Sequence, residues 1–198
     1  MDINDAINDI ITVYQYCLDK LKLNNKQIVF VGNNSGAGII MLFLQKIRDN
    51  YSELKLKMPL CCVLMSIYVE LDSKVFMDKN RYNFRERNKG NDVMISYDKK
   101  GFLGNKYGNK IFNDIPILSN NFSGYCPIYF SVAENEVLLG DTLNCIKNAQ
   151  EYNIDIQMEI HPYLCHSYPI YVGLFDESDE ATTRISKYIN DKIQQNSI

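Results

Sequence analysis

The stretch Gln27-Ile28-Val29-Phe30-Val31-Gly32-Asn33-Asn34-Ser35-Gly36-Ala37-Gly38 decides the fold. Gln27 to Val31 is a short β-branched and aromatic run, which favours a strand, and it stops at a cluster of Gly, Asn and Ser that marks a tight turn. Ile39 to Ile47 follows, apolar on most sides as a buried helix is. The local reading is strand, tight turn, buried helix.

Upstream, Ile7, Ile10, Ile11, Tyr14, Leu18 and Leu21 recur at helical spacing behind Asn4 and Asp5, so residues 5–22 read as an amphipathic helix. Downstream, Leu60 to Met65 lacks alternation, which suits a strand of a parallel sheet covered on both faces. Regular patterning returns with a strand over Pro127 to Val132, a helix over Leu138 to Tyr152 and an alternating strand over Ile154 to Ile160. A last helix runs from about Glu177 to Ile193. Strands alternating with helices over short connections predict an α/β fold, a mainly parallel sheet of about four strands flanked by helices. The chain reads as a single domain over residues 1–198 with a polar, cap-like insertion at about 72–113. Within it, Phe76, Tyr82, Phe84 and Phe102 are candidates to line an apolar cleft, and Arg81, Arg85 and Arg87 read as solvated surface.

Composition removes several function classes. A net charge of -3 with interspersed signs offers no basic stripe for phosphate neutralisation, so nucleic acid is not an expected partner. The longest apolar stretch, Pro59 to Val69, is too short to cross a bilayer. Met1 to Asp5 is acidic and polar rather than basic and then apolar, so no secretory signal is expected. Six cysteines without a C-x-x-C pair, mostly in apolar runs, favour a reducing, cytoplasmic setting. His161 and His166 are the only histidines, at no metal-binding spacing, so neither a metal nor another cofactor is expected.

Gly32-Asn33-Asn34-Ser35-Gly36 has the form of a G-x-S-x-G elbow, in which small flanking residues let strand and helix pack closely while the central side chain stands above the sheet. Here the chain resembles the C-terminal half of the hormone-sensitive-lipase-like α/β-hydrolases, whose elbow strand ends in G-D-S-A-G-G. The register set by Gly32 and Gly36 places Asn33 on that Asp and Asn34 on the nucleophilic Ser. Ser66-Ile67-Tyr68-Val69-Glu70-Leu71 is similar to the family's S-P-W-x-D-L, and Asp114 to Pro127 to the stretch that leads into the acid strand. Glu134 to Asp141 resembles the segment bearing the triad acid, which the resemblance places at Glu136, with Glu134 as the alternative. His166 matches the histidine in the loop after the final strand, whereas His161 reads as structural. Nucleophile, acid, histidine is also the family's chain order.

The resemblance implies a carboxylic-ester hydrolase, and the residues depart from it at two points. A carboxamide at Asn34 offers no hydroxyl to deprotonate. Its expected merit is tolerance of the positive φ that an elbow demands. No H-G-G loop, the family's source of oxyanion donors, occurs in the chain. Three readings follow: an impaired or inactive homologue able to bind a small hydrophobic ester, ligand or protein partner; an active esterase using Ser35 with His166 and Glu136; or a truncated product. The first strand, without the strands that precede the elbow in the family, is expected to form an apolar edge inviting self-association.

Overall fold

The computed structural model describes residues 3–68, 121–134, 136 and 138–196, so the expected cap-like insertion, its aromatic and arginine residues and Val69 to Leu71 lie outside the described residues. Helix α1 spans Ile3–Asp19 and buries Ile3, Ile7, Ile11 and Tyr14, the stripe that its helical periodicity marks. It stops three residues before the expected end. Gln27 is not in a strand: Asn24 accepts from Lys26 N (3.0 Å) and Gln27 Oε1 accepts from Asn24 N (2.7 Å), and this capping box holds Asn25–Gln27 in a 3-10 turn. Strand β1 accordingly covers Val29–Asn33.

Helix α2 runs Ser35–Asp49, four residues earlier than the apolar run suggests, because Ser35 to Gly38 form its first turn rather than a loop. A short helix α3, Tyr51–Leu54, occupies the polar stretch after it. Strand β2 is Cys61–Met65, buried throughout, and β3 is Ile128–Ala133. Helix α4 (Leu139–Glu151), strand β4 (Ile156–His161) and helix α5 (Asp176–Gln195) complete the described order.

The four strands form one sheet in the order β1-β2-β3-β4, every pair parallel. Phe30, Cys62, Leu64, Ile128, Phe130 and Ile156 face α1, α2 and α4, and Val29, Leu60, Cys61, Val63, Met65 and Tyr129 face α5. Tyr14 anchors α1 by stacking edge-on with Phe30 and Phe43, each at 5.5 Å, while its hydroxyl donates to Lys57 O (2.9 Å). Burial pushes the Tyr14 hydroxyl pKa well above its ordinary value, so it remains a donor at neutral pH.

Two details of the sheet reverse simple pattern reading. In β4 the apolar Met158 and Ile160 are exposed while Glu159 is turned under α5, where Arg184 and the Tyr129 hydroxyl bond its carboxylate. At the other side β1 is outermost among the described strands. Ile28 O accepts from Leu60 N and Asn34 N donates to Met65 O, each at 2.9 Å, so alternation turns the backbone groups of Val29, Val31 and Asn33 away from β2. Val31 is 54% exposed on that edge.

Gly32 sets the distance between β1 and α2. A Cβ there would lie 2.8 Å from both Ala37 N and Ala37 Cα and 2.5 Å from Ile40 Cδ1, and the backbone atoms cannot yield cheaply. Gly36 is different, since a Cβ at that position meets nothing within 4 Å. Only the first of the two flanking glycines is therefore sterically required here. Gly32→Ala is expected to cost about 1–3 kcal/mol or more in urea unfolding, as overpacking does, whereas Gly36→Ala is expected to stay within about 0.5 kcal/mol of the parent.

Candidate active site

The turn from β1 into α2 carries Asn34 at φ 52 and ψ -118. This is a positive φ, as an elbow needs, but the ψ lies outside the left-handed region near φ of about +57° and ψ of about +47° that asparagine favours. Hydrogen bonds hold the residue in this conformation. Asn34 N donates to Met65 O (2.9 Å), and Asn34 O accepts from Ala37 N (3.1 Å), Gly38 N (3.3 Å) and Tyr68 N (3.3 Å).

Glu136 follows β3 in a tight turn, its own N–H donating to Ala133 O (3.2 Å), and it is fully buried. A buried carboxylate needs its lone pairs satisfied. Oε1 accepts from Ser66 Oγ (2.6 Å) and Ala133 N (2.8 Å), and Oε2 lies 2.8 Å from His166 Nδ1. Glu134, the alternative acid, is exposed, with its backbone N–H bonded to His161 O (2.9 Å).

His166 stands in the loop between β4 and a 3-10 turn at Tyr168–Ile170, its side chain 12% exposed. With Nδ1–H donating to Glu136, Nε2 carries the lone pair, and Asn34 Nδ2–H donates to it at 2.9 Å. Asn34, His166 and Glu136 thus form one continuous hydrogen-bonded chain from carboxamide to imidazole to carboxylate. Ser35 is exposed at the start of α2 and makes no hydrogen bond to His166 among the described residues. His161 ends β4, its Nδ1 2.7 Å from Pro162 O and its ring 5.3 Å from that of Tyr168.

Sequence reasoning passed over Ser66 as a site residue. Its Oγ donates to Glu136 and accepts from Ser167 N (3.0 Å), so one buried hydroxyl ties the acid to the residue after the histidine. The available signal is a serine directly after an all-apolar strand. Ser66 (φ 48) and Ser167 (φ 61) share positive φ with Asn34, so backbone conformations unusual for side-chain-bearing residues converge here.

Tyr168 anchors the histidine loop from the other side. It is fully buried, Ser131 Oγ donates to its hydroxyl (3.1 Å), Ser178 Oγ donates to its carbonyl (2.7 Å), and its hydroxyl bonds Glu159. Burial acts to raise the Glu159 pKa, but hydrogen bonds from Arg184, Tyr129 and Tyr168 outweigh it and leave the carboxyl below its ordinary value.

Among the described residues no group of three His, Cys, Asp or Glu side chains could hold a metal, and no helix is long and apolar enough to cross a membrane. A family profile described as alpha/beta hydrolase fold matches residues 2–170. Among solved structures, the chain superposes on a hormone-sensitive lipase from a metagenome library with a TM-score of 0.79 and 20% identity, over 94% of this chain and 61% of that one. EstE5, in crystals soaked with p-nitrophenyl butyrate, gives 0.82 at 18% identity, over 98% of this chain and 62% of that one. An esterase of the bacterial hormone-sensitive lipase family gives 0.76 at 18%, over 94% and 60%. The chain therefore spans about three fifths of the length of these structures. No curated protein matches it.

Two outcomes test the site's supports. Ser66→Ala leaves Glu136 Oε1 one donor short and Ser167 N without its acceptor, so urea unfolding is expected to show a loss of about 1–3 kcal/mol. Because Glu159 has a lowered folded pKa, its contribution is present above the unfolded value of about 4.3 and is lost as pH falls through the lower folded value. The Tm gap between parent and Glu159→Gln is expected to narrow as pH is taken below that range.

Proposed function

Since the chain belongs to the alpha/beta hydrolase fold family, we propose that it is an esterase- or lipase-like homologue whose hydrolytic chemistry is lost at the nucleophile and whose acid and histidine persist. Asn34 is the degenerate nucleophile position, Glu136 the acid and His166 the base that the acid orients. The single observation that carries this reading is the 2.9 Å contact between Asn34 Nδ2 and His166 Nε2. An amide nitrogen shares its lone pair with the carbonyl and cannot attack an ester, and its N–H occupies the imidazole lone pair that would deprotonate a hydroxyl. The ligand proposed is a small hydrophobic ester or an analogue, bound without turnover.

The alternative nucleophile Ser35 is disfavoured by its place one residue into α2, while His166 Nε2 is engaged by Asn34. A cytoplasmic setting is proposed on the apolar surroundings of Cys61, Cys62, Cys126 and Cys145, all buried. Burial pushes the Cys61 thiol up to about 12, which suits a structural rather than a reactive cysteine.

Hydrolysis of p-nitrophenyl acetate and butyrate by the parent, Asn34→Ser, Ser35→Ala and His166→Ala proteins tests the proposal. The parent is expected to show no turnover that depends on His166. Asn34→Ser is expected to gain turnover that a further His166→Ala change removes, at a level held down by about 10²–10³ for each oxyanion donor the chain lacks. Parent activity abolished by both Ser35→Ala and His166→Ala would overturn the reading.

A further inference from the structure

We propose that Asn34 is a self-deamidation site: the elbow holds its side chain for attack by the Ser35 amide nitrogen, and His166 stands at the leaving nitrogen. The backbone supplies the first half of the geometry. Viewed along Cα–C, Cβ lies roughly 120° from the backbone nitrogen. The ψ of -118 at Asn34 therefore brings Cβ almost into eclipse with Ser35 N, the near-planar arrangement of a five-membered cyclic imide. In a helix (ψ about -42°) or a strand (ψ about +135°) Cβ is turned well out of that plane. Folded structure ordinarily protects asparagine for this reason, and here it does the opposite.

The attacking nitrogen is available as well. Ser35 is the first residue of α2, where an N–H has no intrahelical carbonyl to serve, and it is exposed to solvent. The leaving nitrogen, Asn34 Nδ2, is the atom 2.9 Å from His166 Nε2, and Glu136 Oε2 stands 2.8 Å behind Nδ1. Once the carbon is tetrahedral, Nδ2 regains its own lone pair, and the imidazole at this place can relay a solvent proton to it with the Glu136 carboxylate behind Nδ1.

The steps balance with water as the only co-reactant. Solvent hydroxide first takes the proton of Ser35 N–H, and the resulting anion, whose nitrogen now carries a free electron pair, bonds to Asn34 Cγ. The tetrahedral carbon then expels Nδ2, which takes a proton through His166 and leaves as ammonia. Water opens the imide at either carbonyl, giving an aspartyl or an isoaspartyl residue at position 34. The product replaces a donor facing His166 with a carboxylate acceptor, so ageing changes the charge of the site without any partner.

The chain contains its own reference, because Asn196-Ser197 is the same dipeptide at the end of α5. Purified protein is incubated at pH 7.4 and 37 °C, folded or in urea, and peptides covering positions 34 and 196 are followed by mass spectrometry. Isoaspartyl-specific methylation and the ammonia-loss imide species are read in parallel. Position 34 is expected to convert about tenfold faster or more in the folded protein than in urea, a modest part of what fixed proximity can supply, while position 196 shows no such acceleration. His166→Gln, checked for folding by circular dichroism, is expected to remove most of the folded-state advantage. Slower conversion of position 34 in the folded protein than in urea would overturn the proposal. So would conversion with neither imide nor isoaspartyl product. Both results are independent of whether any ester is hydrolysed.

Discussion

The backbone of Asn34 is the constraint on which the rest depends. A side-chain-bearing residue in a sparsely populated region costs about 1–3 kcal/mol and persists only when its surroundings over-determine it. Here they do. The end of β2 takes its N–H, the first turn of α2 and Tyr68 N share its carbonyl, and Gly32 lets α2 sit close enough for those bonds to form. The elbow is therefore a property of a strand, a helix and a neighbouring strand together, and no single side-chain identity at position 34 secures it.

The Glu136–His166 pair is held independently of that turn. The buried charge of Glu136 is met by Ser66 Oγ, Ala133 N and His166 Nδ1, none of which comes from the elbow. His166 is held through the neighbouring Ser167 and Tyr168, which are tied to β2, β3 and α5. What His166 asks of position 34 is a donor for Nε2. A carboxamide N–H fills that role as a hydroxyl would, so the hydrogen-bond chain closes.

The α5 face follows the same logic. Glu159 turns inward and Met158 outward because Arg184 and two tyrosine hydroxyls provide the inward position with partners, and burial of a fully bonded carboxylate then costs little. Alternation along β4 was legible, but which of its two faces would be covered depended on a helix 25 residues away.

The sequence by itself determined what neighbouring residues determine: the helical stripe of Ile7, Ile11 and Tyr14, the all-buried run of β2, and the strand, turn and helix around Gly32. It misjudged boundaries where a local hydrogen bond competes with a propensity, as the Asn24 capping box does at Gln27. Only the tertiary structure decided that Glu136 rather than Glu134 is buried against His166, that Ser66 joins them and that ψ at Asn34 eclipses its side chain with the next nitrogen. The reason is distance along the chain. Asn34 and His166 are 132 residues apart and Ser66 and Ser167 are 101 apart, so their contacts come from how the ends of β1 and β2 meet the loop after β4 across the sheet, which periodicities of two or 3.6 residues do not encode.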